Sequence, residues 1–151
     1  MHKELEEKIE NSLPKQSKEE VGKIKEFVVD AIEFNKSHNI FVRELAEEVF
    51  EKDILDCMPL IEKIKENEKI LDMGSGGGFP GLLIAILRPN CEIHLLEKSQ
   101  KKCYFLNKTI HKLGLLNAKT LNINIKPNNK IGAYNLITSR AFSSTENTLN
   151  L

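Results

Sequence analysis

The first 66 residues repeat apolar side chains at helical spacing, whereas from residue 69 onward short apolar runs alternate with amphipathic stretches. Leu5, Ile9 and Leu13 recur every four residues before Pro14, which ends a first helix. Ser17-Lys18-Glu19-Glu20 has the form of a capping box: the Ser17 hydroxyl accepts from the Glu20 amide, and the Glu20 carboxylate accepts from the Ser17 amide. Behind it Val21, Ile24, Phe27, Val28, Ala31 and Ile32 make one stripe, which His38 and Asn39 interrupt. Leu45, Val49, Phe50, Ile54, Leu55 and Met58 make another up to Pro59, and Leu60, Ile61 and Ile64 extend it to a polar connection at 65–68. Such stripes must be buried against each other or against the second half of the chain.

After residue 69 the pattern predicts strands at 69–73, 92–97, 118–123 and 134–138. Helices are predicted between them at 80–87, where Pro80 is tolerated near a helix start, and at 99–113, with Gly114 as the stop. Cys103, Leu106, Ile110 and Leu113 form the inward face of the second. Strands alternating with helices predict an α/β fold built on a parallel sheet with right-handed crossovers.

The densest chemistry lies where the first strand ends. Asp72-Met73-Gly74-Ser75-Gly76-Gly77-Gly78-Phe79-Pro80-Gly81 runs from strand through a glycine cluster into a helix. Glycine admits positive φ and lets a ligand approach without meeting a Cβ, and the carboxyl end of a parallel strand is where such sheets bind ligands. No Gly-Lys-Ser/Thr comes after it, which excludes a P-loop. Phe79 stands where a dinucleotide fingerprint needs its last glycine, which weighs against a nicotinamide-dependent oxidoreductase. Glu97 closes the second strand, 23 residues after Gly74, where a carboxylate can accept from both hydroxyls of a ribose. A G-x-G-x-G loop of this type suits S-adenosylmethionine, a nucleoside without a pyrophosphate.

These residues resemble the ribosomal RNA small subunit methyltransferase G family, also called glucose-inhibited division protein B. The resemblance rests on Leu71 to Gly81 with its Phe-Pro-Gly tail, then Arg88-Pro89, then Leu95-Leu96-Glu97-Lys98-Ser99-Gln100-Lys101-Lys102, then Thr138-Ser139-Arg140-Ala141-Phe142. In the helical part, Asn35-Lys36, His38-Asn39-Ile40, Val42-Arg43-Glu44 and Ile54-Leu55-Asp56 agree as well, so the likeness covers roughly residues 17 to 151. It implies a Rossmann-like S-adenosylmethionine-dependent methyltransferase fold, with a helical region over 1–66 and a core over 67–151. It also implies methylation of a guanine N7 in 16S ribosomal RNA, on the RNA or the small ribosomal subunit, by a cytoplasmic monomer. Gly74 and Phe79 match positions that line the cofactor pocket, Gly76 shares the same turn, and Glu97 takes the ribose. Ile125 and Lys126 fall where an acidic residue usually helps to hold the adenosine, and Arg140 matches an arginine implied at the cofactor and substrate site. Asp53 stands where the family usually has histidine. The family also implies further strands than the 83 residues from Lys69 can hold, so the sheet is expected to be truncated. Two readings are open: an active methyltransferase, or a non-catalytic RNA- or ribosome-associated module that keeps the cofactor loop.

Composition narrows the classes. The 151 residues carry 22 basic and 22 acidic side chains, but residues 1–69 hold 12 basic and 18 acidic while 70–151 hold 10 and 4. The second half is therefore net positive, with Lys98, Lys101, Lys102, Lys108, Lys112, Lys119, Lys126 and Lys130 available to RNA phosphate or simply solvated. Tyr104 and Phe105 read as core, so no aromatic interleaving decides between the two. At 40% hydrophobic and 29% charged residues the chain is expected to fold rather than stay disordered. Cys57, Cys91 and Cys103 show no C-x-x-C spacing, which excludes a zinc ribbon and fits a reducing compartment; Cys91 and Cys103 read as packing residues. The four histidines do not cluster, so no metal is expected. Residues 1–7 lack the apolar core of a signal peptide and no apolar run reaches membrane-spanning length, so no membrane partner is expected.

Overall fold

The computed structural model describes residues 2–40, 44–123 and 132–139. Helix α1 (His2–Ser12) stops before Pro14, and α2 (Lys18–His38) begins on the Ser17 capping box, with both reciprocal hydrogen bonds at 3.1 Å. Asn39, in the left-handed conformation at φ 48°, ends α2 and donates its N–H to the Asn35 carbonyl. Val21, Ile24, Phe27, Val28 and Ala31 are buried as the stripe predicts, and so is Phe34, one turn beyond it.

The second helical stretch departs from the expectation. It is a short turn α3 (Ala46–Glu48), a π-helical segment (Val49–Ile54) and α4 (Leu55–Glu62), which carries Pro59 inside it. Leu45 does not join the stripe; it is extended, ahead of α3, and 59% exposed. The hydrogen bond from Leu55 N–H to the Phe50 carbonyl spans five residues and shifts the face that the following turn presents.

The strands are β1 (Lys69–Met73), β2 (Glu92–Leu96), β3 (Ala118–Leu121) and β4 (Leu136–Ser139), with α5 (Gly81–Leu87) and α6 (Gln100–Leu113) between the first three. All pairings are parallel and the order is β3-β2-β1-β4. The chain steps outward from β1 to β3, then returns to the other side of β1, so the topological switch lies between β1 and β4. Beyond its carboxyl edge such a sheet opens the crevice that ligands use.

Strand β4 starts later than expected. Asn135 donates its backbone N–H to the Lys69 carbonyl at 2.8 Å and accepts from the Lys69 amide on its side chain, while the Tyr134 hydroxyl turns to His94. Strand β3 ends earlier, because the Asn122 side chain turns back to donate to the Glu97 and Lys98 carbonyls. Helix α2 lies against α5 and α6. Ile70, Ile93 and Leu95 of the sheet, Leu82 to Leu87 of α5, Phe105 and Leu106 of α6 and the α2 stripe form one continuous core. Leu71, Met73 and Leu96 make a smaller cluster on the opposite face. Among the described residues no helix is long and apolar enough to cross a membrane.

Candidate functional site

Side chains alternate along β1, so Ile70 and Asp72 share one face while Leu71 and Met73 share the other. Asp72 is wholly buried, and it is satisfied there: Oδ2 accepts from the Gly81 amide at 3.1 Å and Oδ1 accepts from the Thr138 hydroxyl of β4 at 2.9 Å. Burial raises its carboxyl to about 6 against these hydrogen bonds, which favour the charged form, and the nearby Glu97 charge adds to the rise. One carboxylate thus ties the start of α5 to β1 and β4 across the switch point.

The tie explains why the motif ends in glycine. A Cβ on Gly81 would lie 2.2 Å from Leu95 Cδ2 and 2.5 Å from Asp72 Oδ2, so α5 can seat on the sheet only with hydrogen there. Gly76 differs. At φ 53° it meets nothing nearer than the Gly74 carbonyl at 3.8 Å, which leaves the loop open on that side. The Gly74 and Ser75 amides both donate to the Leu96 carbonyl, fastening the loop to the end of β2.

Glu97 comes directly after β2 and is 6% exposed, so it is no solvated strand-end residue. Its Oε1 accepts from the Gly76 amide at 2.9 Å and its Oε2 from the Ser99 amide at 2.7 Å. Each oxygen retains a second lone pair. Its main-chain carbonyl accepts from the Asn122 side chain and from the Cys103 thiol. Burial, then the Glu97 charge, pushes that thiol's pKa up. The structure thus brings Gly74, Gly76 and Glu97 together at the carboxyl edge of β1 and β2.

Phe79 takes another direction. It is buried, and its ring stacks on Phe27 of α2 at 4.9 Å, facing the core. Gly78 is pressed onto the same ring, with Phe27 Cζ 3.0 Å from where its Cβ would be. Ile125, Lys126 and Arg140, and with them Lys130, Val42 and Arg43, lie outside the described residues.

Sequence reasoning missed the amides that pin the site. Asn122 holds the Glu97–Lys98 backbone, and Asn117 donates to the Ala85 and Arg88 carbonyls at the end of α5. An asparagine just past a predicted turn or strand end was the signal that could have found them. Arg88 of the Arg-Pro pair donates to the Ile61 and Ile64 carbonyls, closing the end of α4. Cys57, Cys91 and Cys103 are all buried, and no cluster of metal-ligating side chains occurs among the described residues.

A family model for GidB, rRNA small subunit methyltransferase G, matches residues 20–151. The chain belongs to this family. Ribosomal RNA small subunit methyltransferase G of Hydrogenovibrio crunogenus is 32% identical over 129 residues, which are 85% of this chain and 59% of that protein. The same-named protein of Ruthia magnifica is 32% identical over 133 residues, 88% of this chain and 65% of its own length. That of Clostridium perfringens strain 13 is 38% identical over 91 residues, 59% of this chain and 38% of its own. The chain therefore spans less than two thirds of the length of these methyltransferase G relatives. Among solved structures, coclaurine N-methyltransferase, determined with N-methylheliamine and SAH, superposes with a TM-score of 0.56 at 18% identity, over 92% of this chain and 49% of that one. The family member has the Rossmann-like fold of S-adenosylmethionine-dependent methyltransferases. The glycine loop, the Asp72 tie and Glu97 lie within the matched span.

Proposed function

We propose that the chain binds S-adenosylmethionine at the edge of β1 and β2 and methylates a guanine N7 of 16S ribosomal RNA, as a cytoplasmic monomer. The observation that carries the cofactor reading is the Glu97 carboxylate. It is held by two backbone amides beside an open Gly76, with lone pairs to spare, which fits a ribose diol. Family membership carries the RNA reading.

In this reading Glu97 accepts from the ribose hydroxyls, Gly74 and Gly76 let the backbone approach the bound nucleoside, and Ser99 and Asn122 hold Glu97 in place. Phe79 serves through its backbone while its ring fixes the loop on Phe27. Ile125 and Lys126 flank the adenosine, and Arg140 positions cofactor and acceptor; these three roles come from motif position alone. The helical region 1–66 backs the core 67–151. The cofactor would supply an electrophilic methyl group on a sulfonium.

Guanine N7 presents an in-plane lone pair and carries no proton, so no side chain has to act as a general base. That agrees with the chemistry near the site, where Asp72 is consumed in packing and Cys103 is buried against a carbonyl. What the chain must supply is alignment and exclusion of water.

Calorimetry with S-adenosylhomocysteine tests the cofactor half. Native chain is expected to bind, and Glu97→Ala to lose at least tenfold, about 1.4 kcal/mol. No heat and no melting shift with millimolar ligand would overturn it. Incubation with S-adenosylmethionine and unmethylated small subunits is expected to yield 7-methylguanosine. Binding without that product favours the non-catalytic module.

A further inference from the structure

Away from the glycine loop, the end of α2 and the outer face of α6 bound a groove of about 460 Å³. Phe34 and His38, one turn apart on α2, stack at 4.0 Å with their planes 10° apart. Across from them Tyr104 stands 6.0 Å from the Phe34 ring at 29°. Phe105 is core and makes the floor, but Tyr104 is 61% exposed, so the two adjacent aromatics have opposite fates. Lys101 and Lys108, three residues before and four after Tyr104, are also exposed and share its helix face. Helix α6 carries no acidic residue. The acids on the α2 wall are engaged by cations: Asp30 accepts from Lys112 at 2.7 Å and Glu33 from Lys36 at 3.2 Å.

An exposed ring between two ammonium groups at helical spacing has the form of a single-stranded nucleic-acid platform, in which a base stacks and the backbone runs over the cations. A duplex hides its base faces and cannot use such a ring. The groove volume lies in the range of small-molecule sites. Tyr104 is five residues beyond Ser99, the N-cap of α6 whose amide donates to Glu97, and so about 7.5 Å along the helix from that end. Of the groove residues on α6, Tyr104 is the nearest to that end, so a strand bound there can continue toward the cofactor edge.

We propose that the α2–α6 groove binds one nucleotide of a single-stranded RNA, its base stacked on Tyr104 and its flanking phosphates on Lys101 and Lys108. This rests on the RNA-methyltransferase reading and extends it to a second contact for the substrate strand.

The test is fluorescence titration of the full chain with an unstructured RNA of about 12 nucleotides, long enough for one such platform. The chain has no tryptophan and two tyrosines, so stacking reads directly as quenched tyrosine emission. Tyr104→Ala is expected to weaken binding about 5- to 150-fold, the range of single-base stacking. Tyr104→Phe keeps the affinity and loses the quenching, because Tyr134 on β4's approach does not respond. Lys101→Ala and Lys108→Ala are each expected to lower the slope of log affinity against log salt by about 0.7. Lys101→Ala, Lys108→Ala and Tyr104→Phe are expected to leave the melting temperature unchanged, Tyr104→Ala also loses the ring contact with Phe34, and S-adenosylhomocysteine calorimetry monitors the cofactor site in each. Native-like RNA affinity in Tyr104→Ala, or RNA binding without quenching, overturns the groove and leaves the cofactor reading standing. A native chain that binds S-adenosylhomocysteine but no RNA overturns the groove and the RNA reading together.

Discussion

Asp72 is the residue on which pH acts most directly. Its ordinary value is 3.8, and burial in the fold raises it to about 6, so the folded chain keeps a proton that the unfolded chain has lost. Between those values folding takes up a proton, and stability falls as pH rises from about 4 to about 6, then levels. A difference of about two pH units corresponds to about 3 kcal/mol. Asp72→Asn removes the ionisation and keeps both contacts, since an amide oxygen accepts from the Gly81 N–H while its NH₂ donates to the Thr138 hydroxyl. Urea midpoints at pH 4.5 and 7 should differ in the native chain and nearly coincide in the variant. Equal pH slopes in both would contradict the assignment. Gly81, packed at the start of α5, and Gly76, in the open loop, separate by what an added methyl would meet. Gly81→Ala drives a methyl into Leu95 and Asp72 and is expected to cost about 1–3 kcal/mol or more in urea unfolding. Gly76→Ala meets no such wall; its left-handed φ costs about 1–2 kcal/mol. The sharper effect of Gly76→Ala should be on S-adenosylhomocysteine affinity, and an unchanged affinity would show that Gly76 does not face the ligand.

At the scale of elements, the decisive contacts join the end of one segment to the side chain of another. Arg88 lies after α5 yet donates to the carbonyls of Ile61 in α4 and of Ile64 just beyond it, at 2.9 and 3.3 Å, where its charge also faces the negative end of that helix. Arg88→Ala should cost about 1.5–3 kcal/mol of stability, the worth of hydrogen bonds to a charged group, with cofactor affinity unchanged. Arg88→Lys, lacking the planar fork, should recover only part of it in the same denaturation assay. If Arg88→Ala instead weakened RNA binding at unchanged stability, the arginine would belong to the basic surface and not to α4. This kind of contact marks where sequence reading stops. The helices of the first half and the β1-to-α5 turn were legible because period, cap and glycine spacing are local. The π-helical segment at Val49–Ile54 was not, since a one-residue slip of hydrogen bonds leaves the apolar pattern intact. Phe34, three residues past Ala31, continues the stripe at the same spacing before His38 interrupts it, and α6 supplies the surface that buries it. Glu97 could be placed by its spacing from Gly74. Its burial and its bonds to Gly76 and Ser99 depend on a crossing of loops that no local pattern encodes.

Over the whole molecule, the acidic helical part and the basic sheet part are charge-separated but not separately cored. Of the described ion pairs, Lys112–Asp30 joins the two, while Lys8–Glu51 and Lys25–Glu6 stay within the first. The joining is apolar instead. Phe27 reaches from α2 onto Phe79, Gly78 and Phe105, and Val21, Ile24 and Val28 belong to the same core as Leu82, Leu83 and Leu106. Phe79 thereby makes the helical region a support for the glycine loop, because the ring that α2 holds belongs to the residue before Pro80. A fragment of residues 67–151 would expose those rings and leucines at once, and burying each large apolar side chain is worth about 1.5–3 kcal/mol. Against a typical total stability of about 5–15 kcal/mol, losing several of them leaves nothing to fold. The fragment is expected to show no cooperative thermal transition and to bind a hydrophobic dye, and adding residues 1–66 in trans should restore both the transition and S-adenosylhomocysteine binding. A fragment that melts cooperatively alone would mean that the sheet carries its own core and that α2 only decorates it. Phe27→Ala in the full chain separates the two cases at finer grain. If α2 supports the loop, cofactor affinity and stability fall together, the latter by about 3–5 kcal/mol; if it does not, only stability moves.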